Sequence, residues 1–389
     1  MLPAPIFSQA MEELALAIAP SLQEIYIAIN ATEHDSKVSW ESMPSSDFSC
    51  RPGYFIGLRY GDPPLDENFV PSRSSSVSVP KFSRIPPAFD SRQTWPERVG
   101  ESVNQGLCGL CWAIALAGVL SDRFAIGNEG NHSVGDLSPL DLQTCAQRSP
   151  SCATSPPLFE ISEHLVKVGV AKSSCLSFQG VLGSSCQAEC NDGGRLTRCK
   201  SVRLLFCTQT QFRYRAESVH HVGIETSDSF ERCWQIMREI HKNGPVLASM
   251  NIYIDFLIYK TGQGFLQVTD IHCTSCERAS SLFLGVYSKT QEHQRYLGKH
   301  SVKIIGWGSE HGEPYWLIQN SWGVLHGEAG LARIRRGTNE CGIESEVLAP
   351  IPNFLDFIDF DYSLKLKLYL ESSKLNASRF NTSNVGESL

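Results

Sequence analysis

Apolar positions change their rhythm about two thirds of the way along the chain. Between Trp112 and Ile126 the residues Ile114, Leu116, Ala117, Val119, Leu120 and Phe124 recur at helical spacing with few polar residues between them. That pattern predicts a helix buried on most of its surface, with its first turn at Cys111. A second helix is expected from Ser229 to Lys242, stopped by Asn243-Gly244-Pro245. Downstream the apolar runs shorten to Val246–Asn251, Val302–Gly306, Tyr315–Gln319 and Leu331–Ile334, each β-prone and bounded by Gly, Pro or Asn. Helices first and strands later predict an α+β fold, two lobes of one unit. Residues 1 to about 45 hold a separate apolar, helix-like stretch. Pro71 to Pro87, with Ser74-Ser75-Ser76, reads as a linker into a denser region that opens at Pro86-Pro87-Ala88-Phe89-Asp90. The tail from Asn353 to Leu389 begins with the acidic aromatic run Phe354 to Phe360 and has no evident place in a core.

Charge narrows the partners. With 34 Lys and Arg against 41 Asp and Glu, the net charge of −7 leaves no polybasic footprint for nucleic acid. The longest conspicuous uncharged run, Leu107 to Leu120, falls short of the roughly 18 residues that suggest a membrane span. The apolar patch Leu14 to Pro20 follows Glu12 and Glu13 rather than Lys or Arg, which makes it a poor signal peptide. Fourteen cysteines, most of them between Cys108 and Cys207, nevertheless favour a disulfide framework and an oxidising compartment. Sequons at Asn30, Asn131, Asn376 and Asn381 point the same way. The conflict is resolved by expecting an incomplete N-terminus.

Candidate chemistry starts at Gln105-Gly106-Leu107-Cys108-Gly109-Leu110-Cys111-Trp112. This string sets a thiol at the start of an apolar helix, where unpaired N–H groups and aligned peptide dipoles favour a thiolate. Gln105, six residues earlier, has an amide N–H suited to an oxyanion. On local spacing alone two readings stay open, a nucleophile or a buried thiol or disulfide half. Farther on come Gly298-Lys299-His300-Ser301-Val302, Ile304-Ile305-Gly306-Trp307-Gly308 and Tyr315-Trp316-Leu317-Ile318-Gln319-Asn320-Ser321-Trp322-Gly323.

Taken together, these blocks resemble the papain family of cysteine proteases over about residues 85 to 352. Asn243-Gly244-Pro245-Val246, Asp255 to Lys260, Cys341 to Val347 and Gln93-Thr94-Trp95-Pro96 are similar to its cathepsin B branch. The resemblance implies a helical lobe and a β-barrel-like lobe with a cleft between them. It assigns Cys111 as nucleophile, His300 as general base and acid, Asn320 as the amide orienting the imidazole, and Gln105 as oxyanion donor. Trp322 would shield the His300–Asn320 bond, and Glu346 would accept Arg at the second position before the cut. Residues 1–84 become a removable propeptide that inhibits its own enzyme, crossing the cleft at Gly53 to Pro64 and cleaved between Asp66 and Ile85. Residues 85–352 form the peptidase domain with an insertion at 269–297, and 353–389 an extension. Bridges implied by the resemblance are Cys108 with Cys152, Cys145 with Cys199, Cys175 with Cys207, and Cys186 with Cys190. Cys341 is expected as a buried thiol, and Cys233 has no account.

Departures from the family set further expectations. Leu110 replaces a small residue and adds bulk at the cleft floor, while Cys152-Ala153-Thr154-Ser155 stands where the family has a Gly-Gly backbone platform. Arg98 and Ala125 replace one family bridge. Only Gln187, Ala188 and Glu189 separate Cys186 from Cys190, so the histidine-bearing occluding loop is truncated. His220-His221 reads as solvent-facing, and His326 takes the place of a tryptophan on the leaving-group side. Inside the insertion, His272-Cys273-Thr274-Ser275-Cys276 has zinc-ligand types but no second cysteine pair, so neither a metal nor any cofactor is expected. The leading reading is a monomeric endopeptidase acting on proteins or peptides, lysosomal, vacuolar or secreted. The alternative is a catalytically impaired homologue that binds a protein partner.

Overall fold

The structure, a computed structural model, describes residues 41–42, 85–106, 108–127, 135–147, 152, 156–178, 185–187, 189–190, 213–257, 259–260, 285–289 and 295–354. In chain order the elements are β1 (Glu41–Ser42), β2 (Phe89–Asp90), α1 (Ser91–Thr94), α2 (Cys111–Gly127), α3 (Pro139–Cys145), α4 (Leu158–Lys167), β3 (Val170–Ala171), β4 (Arg213–Tyr214) and β5 (Ala216–His221). They continue with α5 (Ser229–Asn243), β6 (Val246–Tyr253), α6 (Ile254–Leu257), β7 (Tyr259–Lys260), β8 (Tyr296–Glu310), β9 (Glu313–Gln319), β10 (Leu331–Arg335), a 3-10 turn (Glu340–Gly342) and β11 (Val347–Pro352).

Two apolar cores divide these elements into the two lobes expected from the sequence. The helical lobe is built around α2. Trp112, Leu116, Leu120 and Phe124 pack there against Leu142 of α3, Ile161 and Leu165 of α4, and Tyr214. Each such side chain contributes roughly 1.5–3 kcal/mol by leaving water. The second core lies under a sheet ordered β10-β9-β8-β6-β11-β5, with β2 added on β8. Its β6–β8 and β8–β9 pairings are antiparallel, so β8 runs through the middle of the sheet. Strands β8 and β9 outrun their predicted bounds, because Gly298 and Gly308 continue the ladder where the sequence suggested breaks.

Local signals explain where α5 begins and ends. Asp228 caps its N-terminus by accepting from the Glu231 backbone N–H at 3.0 Å, satisfying one of the orphan donors of the first turn. Gly244 closes it at φ +95°, and a Cβ there would sit 2.5 Å from Ile126 Cδ1. Only glycine fits both the torsion and the space.

Buried charges join the lobes. Lys303 of β8 meets Asp122 of α2 at 2.6 Å, and Arg123 of α2 reaches Glu239 at 2.9 Å and the Pro245 carbonyl at 2.7 Å. Where a family bridge is missing, Arg98 donates to the Ile126 carbonyl at 3.3 Å. A cavity of about 360 Å³ lies along the seam, lined in part by Asp122, Asp136, Ser301, Lys303, Gln319 and Asn320.

The disulfides correct the implied pairing in part. Cys108–Cys152 is present, but Cys145 joins Cys186 and Cys175 joins Cys190. Cys186 and Cys190 therefore do not bridge each other; each staples its segment to a different part of the helical lobe. Cys199 and Cys207 lie outside the described residues, as do the four sequons, Ala153 to Ser155, the His272-Cys273 to Cys276 motif and the residues from Leu355 onward. Phe354 was expected to have no place in the core. Its ring in fact packs edge-on to Phe124 at 5.5 Å, extending the helical-lobe core.

Candidate active site

Cys111 is the first residue of α2 and is buried as a thiol outside any disulfide. Its backbone position gives it the electropositive helix end expected from the sequence. Leu110 does not stand in the cleft as added bulk. It is fully buried in a small cluster with Cys108, Ile114 and the half-buried Cys152 and Phe178, so the larger side chain fills the turn that leads into α2.

α2 packs on β8, the strand that carries His300. His300 is buried, lies opposite Met250 of β6, and its Nε2 is 2.7 Å from Asn320 Oδ1. The Ser321 backbone N–H donates to the same Oδ1 at 2.8 Å. Trp322 lies over the imidazole, the ring centroids 4.8 Å apart and the planes tilted by 35°.

Gln105 reaches this group from the other lobe through a laced pair of segments. Its N–H donates to the Ser321 carbonyl at 2.8 Å, its Oε1 accepts from Ser321 Oγ at 2.5 Å, and Asn104 bridges Trp322. One hydrogen of its Nε2 amide goes to the Cys108 carbonyl at 2.9 Å. Residues 102 to 105, 320 to 322 and the Cys108–Cys152 staple thus form one hydrogen-bonded block around the start of α2.

Two partners in this region were missed by sequence reasoning. The first is His326, placed on the leaving-group side but not linked to Asn320. Its ring is fully buried, with Nδ1 3.1 Å from Asn320 Nδ2 and Nε2 3.1 Å from the Phe256 carbonyl. The second is Lys299, the residue before His300. Its ammonium lies 3.6 Å from the carboxylate of the half-buried Glu346. The Glu346 carbonyl also accepts from the Ser249 N–H, which puts the pair one strand position from His300. Neither was visible in the sequence because each depends on a contact across strands or a turn.

Elsewhere, His220 and His221 are exposed on β5, at the sheet's edge, away from this block. The end of the insertion, where it is described, packs into the strand-rich lobe. Tyr287 is buried, bridges Ile334 of β10 and donates its hydroxyl to Asp255 at 2.7 Å. Cys341 and Cys233 are buried thiols; Cys233 donates to Glu344 Oε1 at 3.3 Å, and burial pushes its pKa up. Among the described residues no cluster of His, Cys, Asp and Glu is arranged to hold a metal ion, and no helix is long and apolar enough to cross a membrane.

Burial pushes the His326 pKa down to about 4, the Phe256 carbonyl working against that shift and nearby His300 adding to it. An unfolded histidine titrates near 6.5, so between these values the unfolded chain binds a proton that the folded chain refuses. Stability then falls as pH falls, by about 3 kcal/mol from this group between pH 7 and pH 4. Urea unfolding of the wild type and His326→Leu across that range should show the gap between them closing by about this amount. A gap that stays constant with pH would mean that His326 is not held neutral.

Three comparisons bear on what this arrangement is. The profile described as "Papain family cysteine protease" matches residues 85–351. "Cathepsin B-like cysteine proteinase 4" of Caenorhabditis elegans is 32% identical over 304 residues, covering 73% of this chain and 82% of that protein. "Gut-specific cysteine proteinase" of the same organism is 33% identical over 300 residues, covering 73% and 80%. Among solved structures, proCathepsin B S9 from Trypanosoma congolense superposes with a TM-score of 0.54 at 23% identity, covering 81% of this chain and 94% of that one.

Proposed function

Because this chain belongs to the papain family of cysteine proteases and is a cysteine peptidase of the cathepsin B-like kind, we propose that it hydrolyses peptide bonds through Cys111, His300 and Asn320, with Gln105 at the oxyanion. The observation that carries this reading is the buried 2.7 Å bond between His300 and Asn320, roofed by Trp322 and set against the helix whose first residue is Cys111. With Nε2 committed to Asn320, His300 exchanges its proton with thiol and substrate through Nδ1. The Cys111 thiolate attacks the peptide carbonyl carbon, and the oxyanion takes the second hydrogen of the Gln105 amide together with the Cys111 backbone N–H. The C–N bond breaks as the His300 imidazolium passes its proton to the leaving amine. Water, deprotonated by the neutral imidazole, then splits the thioester and restores the thiol.

Residues 1–84 act in this reading as an inhibitory propeptide. Strand β1, which lies within them, pairs with β7, Glu41 against Lys260 and Ser42 against Tyr259, which supports a docked N-terminal segment. The three disulfides among the described residues fit an oxidising compartment, whether lysosome, vacuole or the exterior. The impaired-homologue reading drew on Leu110 and on the missing Gly-Gly platform; the burial of the Leu110 side chain takes away the first ground, and Ala153 to Ser155 lie outside the described residues. The test is labelling of the chain by a thiol-reactive peptidyl epoxide at acidic pH. Label should appear after removal of residues 1–84, remain weak before it, and vanish in Cys111→Ala. Label that persists in Cys111→Ala sinks the site, and equal label before and after removal sinks the propeptide.

Two finer features belong to the substrate. The segment from Cys186 to Cys190 has no histidine to read a terminal carboxylate, so the enzyme is an endopeptidase. Glu346 receives Arg at the second position before the cut, in competition with Lys299. A peptide panel reads both features. Amidating the substrate's C-terminus should change the rate less than about threefold, since no 2.7 kcal/mol contact worth a hundredfold is lost. Glu346→Ala should slow Arg-Arg peptides about tenfold and Phe-Arg peptides hardly at all, the low end for a charged hydrogen bond because Lys299 already shares the carboxylate. A hundredfold preference for the free carboxylate, or equal losses on both peptides, would overturn the respective assignment.

A further inference from the structure

The amide of Asn320 is the part of this site with two possible orientations, and a 180° flip would present an N–H instead of an oxygen to His300. Two donors converge on its Oδ1, His300 Nε2 at 2.7 Å and the Ser321 N–H at 2.8 Å. Its Nδ2 lies 3.1 Å from His326 Nδ1. An imidazole nitrogen accepts only when its proton sits on the other nitrogen. Here the other nitrogen, Nε2, faces the Phe256 carbonyl at 3.1 Å, and a carbonyl only accepts. Each link is therefore forced. Phe256 C=O takes the proton of His326 Nε2, His326 Nδ1 takes a hydrogen of Asn320 Nδ2, and Asn320 Oδ1 takes the proton of His300 Nε2.

We infer that His326 is a positioning residue for hydrolysis: held as its Nε2–H tautomer between the Phe256 carbonyl and Asn320, it locks the Asn320 amide with its oxygen toward His300. This deepens the Cys111–His300–Asn320 reading and rests on it. The family tryptophan expected at this position has no acceptor to offer, so the link belongs to this chain.

The surroundings are built to keep the ring where it is. Trp322 stands edge-on to it at 4.7 Å and Phe256 is tilted at 5.4 Å. The turn is fixed by the His326 N–H donating to the Gly323 carbonyl at 3.4 Å and the Gly330 N–H donating to the His326 carbonyl at 2.9 Å. Gly327 makes the close return possible, since at φ +58° a Cβ would lie 2.2 Å from the Leu331 carbonyl oxygen. The ionisable groups on the elements around the ring are engaged with one another. Asp255 of α6 takes the Tyr287 hydroxyl, and Glu328 takes both the Tyr259 hydroxyl and Arg333. His300 is the neighbouring imidazole, and a positive charge there would oppose a second one on His326. Protonating His326 would put hydrogens on both nitrogens, set an N–H against Asn320 Nδ2 and leave the amide's orientation to the His300 and Ser321 donors alone.

Two variants and one spectrum test this. In processed enzyme, His326→Leu should lower kcat about tenfold with KM within twofold. His326→Asn, whose Oδ1 can stand near the Nδ1 position and accept from Asn320, should recover most of the loss. Nitrogen-15 NMR of the full chain carrying Cys111→Ala, which cannot digest itself, should show His326 as the Nε2–H tautomer at pH 6 and still neutral at pH 5. An Nδ1–H tautomer, a His326 ring protonated at pH 6, equal kcat losses in both variants, or a loss confined to KM would overturn the inference. Peptidase activity surviving in Cys111→Ala would instead refute the underlying site, so the two failures are distinguishable.

Discussion

Cys111→Ala and His300→Ala should each lower kcat/KM by about 10⁴-fold or more, and the double variant should be no worse than the poorer single one. Thiol and imidazole act as one unit: without the imidazole the thiol is mostly protonated at acidic pH, and without the thiol there is no nucleophile to activate. A 10⁴-fold loss is about 5 kcal/mol of transition-state stabilisation, and once it is gone the second substitution has nothing left to remove. Asn320→Ala should be milder. It keeps both reacting groups and loses the ring's orientation, which is worth about a hundredfold when a catalytic group drifts by an ångström. The assay is hydrolysis of a fluorogenic peptide by processed enzyme, normalised to folded protein. Losses that multiply in the double variant, or a His300→Ala enzyme within tenfold of wild type, would place the general base elsewhere.

The parts of this site that the sequence carried openly are those encoded locally. Cys111 could be placed at a helix start from the apolar run Trp112 to Ile126, while the nucleophile role came only with the motif blocks, and the end of α5 was marked by Asn243-Gly244-Pro245. His300 and Asn320 stood out only as members of motif blocks, since nothing in their own strands sets them apart. The bridges of Cys145 and Cys175 were misassigned, because several cysteines crowd one stretch and only Cα separations near 4.5 Å select among them. Phe354 looked like the start of a tail because its partner, Phe124, lies 230 positions earlier. His326 and Lys299 were opaque for the same reason. A turn built on Gly323 and Gly327 brings the His326 ring to Asn320, and a neighbouring strand end brings Glu346 to the Lys299 ammonium.

The seam between the lobes carries the largest expected loss of stability. Lys303→Met should cost about 3–5 kcal/mol, because it strands the Asp122 carboxylate in a site where that side chain is 2% exposed and its partner 5%. Asp122 would retain the Gly100 N–H at 2.8 Å, one hydrogen bond but no countercharge. Methionine matches the length of the lysine stem, so the loss comes from the charge rather than from a cavity. Removing both charges should be far gentler. Asp122→Asn with Lys303→Met leaves no buried ion, and its stability should return to within about 1–2 kcal/mol of wild type, since a buried pair repays little more than its own desolvation. Urea unfolding of processed, epoxide-inhibited protein reads all three stabilities without autolysis. If Lys303→Met costs less than about 1 kcal/mol, or the double variant is as unstable as the single one, then the packing of β8 on α2, and not the pairing of their charges, is what joins the lobes.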